Sequence, residues 1–383
     1  MGPSVSAGQS ARALRELLSL FLRLGVTAFG GPAAHIAMME DEVVRRKRWL
    51  SQADFLDLLG LTNLIPGPNS TEMAIHIGRQ RAGLRGLLVA GSAFILPAAA
   101  ITGTLGFVYV RFGAAPRALA ALYGIKPVMI AVVVQALRSL TPKAIKSRSL
   151  LALGIGSFVM AALGVNELVC LGVAGLAEWA VRKRFAPPPL LLGGAVSSGG
   201  VAALAGAKVA VAPFSLPVLF LVFVKIGSVL FGSGYVLLAF LRSAFVEQRH
   251  WLTEVQLLDA IAVGQVTPGP VFTTATFIGY LLGGPWGALL ATLGIFLPAF
   301  VFVAISAAFL PKIRGSLALG AALDGVNVAS LSLMAVVTLQ LGRAALVDWL
   351  SVLLACASAV LLLRFKLNST WLIAAGALVG MLR

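Results

Sequence analysis

The sequence Pro-Gly-Pro occurs twice, at residues 66–68 and 268–270, between apolar segments that are too short to cross a bilayer alone. Proline removes a backbone donor and fixes φ, and glycine allows a turn, so a helix has to break at each site. In hydrocarbon, a broken helix is tolerated only where it is buried in protein or lines a cavity. Matched breaks in two halves of a chain indicate the substrate site of a membrane transporter.

The composition of the chain is that of a membrane protein. Hydrophobic residues make up 59% of the 383 residues and charged residues only 11%, and the mean hydropathy is +0.96. The net charge of +16 comes from basic residues in short loops between apolar segments. This pattern follows the positive-inside rule and argues against a nucleic-acid partner. We therefore predict an all-α, polytopic integral protein of the inner cell membrane.

The two halves of the chain repeat one another. At an offset of 202 residues Asp57 matches Asp259, and after one deletion the offset is 201, as for Pro97 and Pro298. A register held over most of each half indicates a duplication. The predicted division is a first transporter repeat at 1–186, a linker rich in Pro, Gly and Ala at 187–213, and a second transporter repeat at 214–383.

Each repeat is predicted to contain about five spans plus one re-entrant hairpin, in which two half-helices flank Pro-Gly-Pro. In the first repeat we expect the half-helices at 52–64 and 70–80 and longer spans near 84–110 and 119–137. An odd number of crossings would invert the second repeat in the membrane. Arg and Lys are dense around the first hairpin and sparse around the second, which favours inversion with the first hairpin at the cytoplasmic side, although the other cations of the second half divide evenly.

The half-helix that follows each break offers an anion site. Its N-terminus presents unpaired backbone N–H groups and the positive end of the helix dipole. Polar side chains can add donors there, although Asn, Ser and Thr also cap helices without any ligand. The candidate substrate-binding residues at the breaks are Asn63, Gly67, Asn69, Ser70 and Thr71 in the first repeat and Gln265, Gly269, Thr273 and Thr274 in the second.

Three glycines and two cations complete the candidate substrate site. Gly30, Gly31 and Gly232 would let the backbone unwind or approach the substrate, and close helix packing is the alternative role. Arg23 and Lys225 occupy the same place in the two repeats, inside apolar spans. A cation at membrane depth usually faces a cavity or a partner, so these two either balance the charge of an anion or extend towards the membrane surface.

Glu72 and His76 lie one turn apart on the half-helix after the first break. A carboxylate and an imidazole at this spacing, beside a substrate site, could carry a coupling proton. The alternative is a polar helix face without any role in coupling. The matching positions of the second repeat hold Thr and Ile at one offset, or Thr and Phe at the other, so only the first repeat carries this pair.

Sequence signatures of enzymes are absent from the chain. It contains no zinc-protease motif, no nucleophile elbow, no Walker loop and no Cys/His cluster with metal-binding spacing. We therefore predict no catalytic residue, no cofactor and no metal. Without a Walker loop, direct coupling of transport to ATP is also not expected.

Three blocks of the sequence resemble one transporter family. Residues 29–35, Phe-Gly-Gly-Pro-Ala-Ala-His, resemble the F-G-G-P-x-x-H signature of the chromate ion transporter (CHR) family. Residues 63–70 resemble its second block, and residues 264–270 resemble the C-terminal copy of its two-domain members. The resemblance covers nearly the whole chain. It departs from the family pattern at Asn63, where many members have Gln, and in the second copy, which lacks the signature His.

The resemblance implies secondary export of chromate from the cytoplasm, giving chromate resistance, with the anion held between the half-helix N-termini of the two repeats. Two other functions remain open: proton-coupled uptake of sulfate or another anion, and an intramembrane enzyme acting on a lipid phosphate. Export of a dianion from a negative interior gains about 4.6 kcal/mol per 100 mV, at about 2.3 kcal/mol per charge. The expected partners are chromate or sulfate, the lipid bilayer and a second copy of the chain in a homodimer.

Overall fold

The computed structural model describes residues 7–28, 31–62, 64–112, 116–183, 213–231, 236–313, 317–365, 367 and 369–382. Over these residues the regular structure is entirely helical and contains no strand, which confirms the predicted all-α fold. The helices of the second half follow the same order as those of the first. This order agrees with the duplication that the sequence predicts.

The described residues of the first half form α1 (Ala7–Thr27), α2 (Gly31–Glu40), a π-helical segment (Asp41–Arg46), α3 (Gln52–Thr62), α4 (Asn69–Phe112), α5 (Pro116–Ala144), α6 (Arg148–Ala162) and α7 (Glu167–Lys183). Those of the second half form α8 (Leu216–Val229), α9 (Leu237–Leu241), a π-helical segment (Arg242–Glu247), α10 (Glu254–Val266), a 3₁₀ turn (Val271–Thr273), α11 (Thr274–Ile313), α12 (Leu317–Ala345), α13 (Trp349–Phe365) and α14 (Ser369–Met381). The predicted linker lies almost wholly outside the described residues, so its boundaries remain a prediction.

Within the described ranges, four segments are long and apolar enough to cross a membrane: Asn69–Phe112, Ala120–Ala144, Val271–Ser306 and Ala318–Ala345. They belong to the matched pairs α4 with α11 and α5 with α12. Leu96 and Leu297, at matching positions of α4 and α11, are 60% and 45% exposed. Large apolar side chains exposed on long apolar helices are expected where helices face lipid. The chain is a multi-pass membrane protein.

The long helices α4 and α11 are interrupted at the same place. Gly83 has φ 61° and ψ −148°, and Gly284 has φ 60° and ψ −151°, a conformation that ends a right-handed helix and suits glycine. The chain then folds back on itself, because Gly78 packs so closely on the carbonyl group of Gly86 that a Cβ atom would overlap with it. Residues 69–81 and 271–282 are therefore separate half-helices, each following a Pro-Gly-Pro break.

The first limb of each hairpin, α3 or α10, begins with a side-chain cap. The Thr253 hydroxyl accepts the N–H of Gln256 (3.2 Å), and the Gln256 side chain accepts the N–H of Thr253 (2.9 Å). At the matching position of the first repeat, the Ser51 hydroxyl accepts the N–H of Asp54 (3.1 Å). Such caps satisfy N–H groups that have no partner within the helix, and they fix where the limb starts.

The last two helices of each repeat pack against a long helix of the other repeat. α5 packs against α13 and α14 of the second repeat, and α12 packs against α6 and α7 of the first. Close backbone contacts mediate both interactions, because Gly124 lies against Gly376, and Gly325 lies against the carbonyl group of Ala174. Small residues allow such close packing of helices in a membrane. Each repeat therefore completes the helix bundle of the other.

Candidate functional site

Each Pro-Gly-Pro break is anchored to the other repeat. The N–H of Gly67 donates to the carbonyl oxygen of Leu230 (2.7 Å), and the N–H of Gly269 donates to that of Ala28 (2.9 Å). Ala28 and Leu230 stand at matching positions, directly after α1 and α8. The last carbonyl groups of a helix have no partner within the helix, and these bonds supply one from the other repeat. The two breaks therefore lie at the interface of the repeats, where the sequence places the substrate site.

Glycine is required at the centre of both breaks. Gly67 has φ 144° and Gly269 has φ 86°, values that other residues rarely adopt. A Cβ atom on Gly269 would lie 2.7 Å from Cβ of Ala98 on α4, and a Cβ atom on Gly67 would lie 3.6 Å from Cβ of Ala299 on α11. Ala98 and Ala299 match at the offset of 201. Each break thus packs on the long helix of the other repeat.

The second break has a further anchor on the first repeat. His35 is buried on α2, and its Nε2 donates to the same Ala28 carbonyl oxygen that receives the N–H of Gly269 (3.1 Å). This histidine therefore positions the end of α1. Its counterpart in the second repeat is Leu237, which cannot make this bond.

The half-helix after the first break begins with buried polar groups. The N–H groups of Thr71 and Glu72 donate to the carbonyl oxygen of Pro68 (2.8 and 3.0 Å), which starts the helix. Ser70 is 3% exposed and Thr71 is fully buried. The Thr71 hydroxyl has no hydrogen-bond partner within the described part of the chain. Because buried polar groups normally have partners, this hydroxyl is a candidate ligand donor.

The half-helix after the second break uses its hydroxyl groups differently. Thr273 and Thr274 donate to the carbonyl oxygens of Pro270 and Val271 (both 2.8 Å), and the hydroxyl of Thr102 on α4 donates to that of Thr273 (3.3 Å). Both hydroxyl groups thus bond to the backbone of the turn itself, although neither accepts an N–H as a helix cap does. Their contact with a substrate remains a prediction.

A side-chain amide provides an unpaired donor beside the second break. Nε2 of Gln265, at the end of α10, is buried and has no hydrogen-bond partner among the described residues. Its counterpart in the first repeat, Asn63, lies outside the described residues, as do Gly30 and Gly232. Gly31 is described, and its φ of 78° requires glycine at the start of α2.

Acidic and basic side chains occur on the half-helix of the first break and not on residues 271–282. Glu72 is fully buried and lies so close to Gly67 that a Cβ atom there would overlap with its Oε1. Neither oxygen of Glu72 has a hydrogen-bond partner among the residues that the structure describes, and the same holds for Nε2 of His76. One turn further on, Arg79 donates to the carbonyl oxygen of Val303 on α11. An unpaired charge is costly at such a site, which makes Glu72 a candidate for binding a proton.

Arg23 and Lys225 each lie near a carboxylate. Arg23 on α1 forms an ion pair with Glu42 (2.7 Å). In the second repeat Ala244 replaces Glu42, and Lys225 instead lines a small cavity that contains Glu167 of α7. The two cations are thus placed beside negative charges near helix faces. Any contact of theirs with a substrate anion remains a prediction.

A buried ion pair joins the repeats at the second hairpin. Nζ of Lys126 on α5 lies 2.9 Å from Oδ1 of Asp259 on α10, and the hydroxyl of Tyr109 on α4 donates to Oδ2 of Asp259 (2.8 Å). Asp57, which matches Asp259, is exposed, and Asn327 matches Lys126. Nothing in the sequence predicts that Lys126 pairs with Asp259. The sequence shows only that each is a charged residue in an apolar helix.

Comparison with known proteins identifies the family. The sequence profile of the family described as "Chromate transporter" matches residues 15–179 and 217–381. The chain is 33% identical over 374 residues to a chromate transport protein of Cupriavidus metallidurans, covering 96% of this chain and 92% of the relative. It is 32% identical over 337 residues to a chromate transport protein of Pseudomonas aeruginosa (86% and 81% covered) and 30% identical over 352 residues to a probable chromate transport protein of Synechococcus elongatus (88% and 87%). No solved structure matches the chain significantly. The chain therefore belongs to the chromate transporter family.

Proposed function

We propose that the protein exports chromate from the cytoplasm as a secondary transporter, with the anion held between the half-helices 69–81 and 271–282. The observation that carries this proposal is the pair of breaks, each bonded to the other repeat through its central glycine. A site built from both repeats can change its access when the repeats move against each other. The relatives named as chromate transport proteins support chromate as the substrate.

The proposed site binds an anion mainly through backbone groups. The N-terminus of each half-helix offers N–H groups and a positive dipole end without placing a full positive charge in the membrane. The Thr71 hydroxyl and the Gln265 amide, which have no partner among the described residues, could add donors to this set. A tetrahedral oxyanion has four oxygen atoms, so donors from both repeats can share one ion.

The membrane potential supplies the driving force for export. Two negative charges that leave a negative interior gain about 4.6 kcal/mol per 100 mV. Import of the same ion would need coupled cations. Arg and Lys are concentrated around the first hairpin, and this distribution supports a cytoplasmic position for that hairpin.

Proton-coupled uptake of sulfate or another anion is the second candidate, and the buried Glu72 favours it. At an effective dielectric constant of about 20, a dianion about 5 Å from an ionised carboxylate would be repelled by about 7 kcal/mol. An anion at the first break therefore requires Glu72 to be neutral. Coupling to protons would provide the neutral form, in either direction of transport.

Inverted membrane vesicles test the direction and the substrate. In vesicles under an inside-positive potential, we expect saturable accumulation of radiolabelled chromate that collapses when the potential is dissipated. Vesicles without the protein are the control, and unlabelled sulfate is the competitor. No accumulation of chromate under the potential, together with proton-driven entry of sulfate into right-side-out vesicles, would favour the uptake candidate.

A further inference from the structure

We propose that Glu72 carries one proton in the same direction as each transported anion, so that one net negative charge moves per transport cycle. This inference rests on the proposed function, because it places the anion at the half-helix that begins after Gly67. It adds the stoichiometry and the sign of the coupling. Both follow from the position of one carboxyl group.

Glu72 lies at the centre of the first break. Its side chain is fully buried, and its carboxyl group packs against Gly67 at the centre of the break. Neither oxygen has a hydrogen-bond partner in the described part of the chain, and the hydroxyl of the adjacent Thr71 is also buried and unpartnered. Two unpartnered polar groups at one helix N-terminus indicate that a ligand completes the site.

The neighbours of Glu72 do not provide a permanent counter-charge. His76 and Arg79 are on the same half-helix, and Arg79 is bonded to the carbonyl group of Val303. The adjoining part of α11, residues 274–306, contains no Asp, Glu, Lys, Arg or His. Charged groups on the other surrounding elements are exposed, ion-paired or hydrogen-bonded elsewhere: Arg12, Arg15, Glu16 and Arg23 of α1, His35 and Glu40 of α2, Asp41, Glu42, Arg45 and Arg46 of the π-helical segment, Asp54 and Asp57 of α3, Arg81 and Arg85 after the half-helix, and Lys225 of α8.

The sign of the coupling follows from electrostatics. An anion at the half-helix N-terminus makes ionisation of Glu72 less favourable, and a protonated Glu72 makes the anion bind better. Linkage requires the two effects to be equal. Binding of the anion therefore favours the protonated form of Glu72, which is the sign of coupling that movement in the same direction needs. An exchange of one for the other, which antiport needs, would require the opposite sign.

Purified protein in liposomes tests this stoichiometry. Uptake of radiolabelled chromate, proton flux and the reversal potential are measured together under a set potassium potential. For the wild type we expect one proton per chromate in the same direction. For Glu72→Gln we expect the proton flux per chromate to be lost and the charge per chromate to double. Glu178→Gln, which changes a buried carboxylate on α7 that is bonded to Arg182, is the matched control and should keep the wild-type ratio.

Proton movement on binding gives a second test without any variant. Chromate added to the wild-type protein in weakly buffered detergent solution should cause net uptake of protons, up to one per bound anion, after subtraction of the protonation of chromate in protein-free buffer. Proton release on binding, protons moving opposite to chromate, or an unchanged ratio in Glu72→Gln would overturn the inference. Wild-type liposomes that move no chromate would overturn the proposed function itself.

Discussion

The two breaks share a backbone and differ in their chemistry. In both, the central glycine donates its N–H to the carbonyl oxygen of the residue that directly follows the first helix of the other repeat. The first break then continues into a half-helix with Glu72, whereas the matching stretch of the second break has Thr273 and Thr274, whose hydroxyl groups bond to their own backbone. The contact joins backbone groups and needs no particular side chain. The side chains are therefore free to give the two breaks different roles.

The first limbs of the two hairpins also differ, and here the buried acidic residue belongs to the second repeat. In the second hairpin Asp259 is buried against Lys126 and Tyr109, whereas the matching Asp57 of the first hairpin is exposed. In the first hairpin the buried acidic residue, Glu72, thus lies after the break, whereas in the second hairpin Asp259 lies before it. Since Lys126 comes from the first repeat, the pair ties the second hairpin to α5.

The largest effect is expected from a side chain at the centre of a break. Gly269→Ala should cost about 3–5 kcal/mol of stability and abolish transport, because φ is positive and the new Cβ would meet Cβ of Ala98 and the backbone oxygen of Gly25 (2.9 Å). Gly67→Ala should cost less, because the obstacle there is the movable end of Glu72. Thermal unfolding of the purified protein and chromate transport measure both effects.

Gly156→Ala is the control for these glycine variants, because a Cβ atom on Gly156 would meet no other atom within 4 Å. It lies inside α6, so alanine should stabilise the helix by about 0.5–1 kcal/mol. Equal tolerance of alanine at 67, 156 and 269 would contradict the packing of the breaks between the repeats.

The buried ion pair is expected to give the next largest effect. Lys126→Met leaves Asp259 buried without a counter-charge and should cost about 3–5 kcal/mol of stability. The double variant Lys126→Leu with Asp259→Leu should recover most of this loss. Asp57→Asn, at the matching exposed position, should change stability by less than about 1 kcal/mol. Thermal unfolding of the wild type and the three variants measures these stabilities. Similar losses for Asp57→Asn and Lys126→Met would refute the contrast between the exposed Asp57 and the buried Asp259.

The smallest effect distinguishes the hydroxyl groups of the two half-helices. Thr71→Val removes an unpartnered donor and should weaken chromate binding about three- to tenfold, corresponding to about 0.5–1.5 kcal/mol. Thr274→Val removes a hydroxyl that already bonds to Val271 and should lower stability more than affinity. Equilibrium binding of labelled chromate to both variants provides the comparison. Equal losses of affinity would show that the two hydroxyl groups have the same role.

The sequence predicts the hairpins well, because they depend on local backbone chemistry. The run Pro-Gly-Pro stops a helix because it removes two backbone donors and places a glycine at positive φ, so the expected first limb at 52–64 agrees with α3 at Gln52–Thr62. The matched offset likewise predicts a second hairpin of the same construction. The interruption at Gly284 repeats that at Gly83 because both copies retain a glycine there.

Contacts between the repeats could not be predicted from the sequence. The bond from Gly67 to Leu230 joins residues that are distant in the chain, and it depends on how the helices pack. Arg23 is recognisable as a cation in an apolar helix. Its partner Glu42 lies in a polar, basic segment with no helical pattern, and the side chain reaches Arg23 only because that segment folds back as a π-helix. Side-chain pairing of this kind is determined by the tertiary structure.

The proposed anion site between the two half-helices can be tested by locating the bound anion. Crystals of the protein grown with chromate, measured at the chromium absorption edge, would give an anomalous peak at the ion. We predict a peak between the N-termini of the half-helices 69–81 and 271–282, within hydrogen-bonding distance of the Thr71 hydroxyl. A peak in the cavity lined by Lys225 and Arg249, with none between the breaks, would contradict the account.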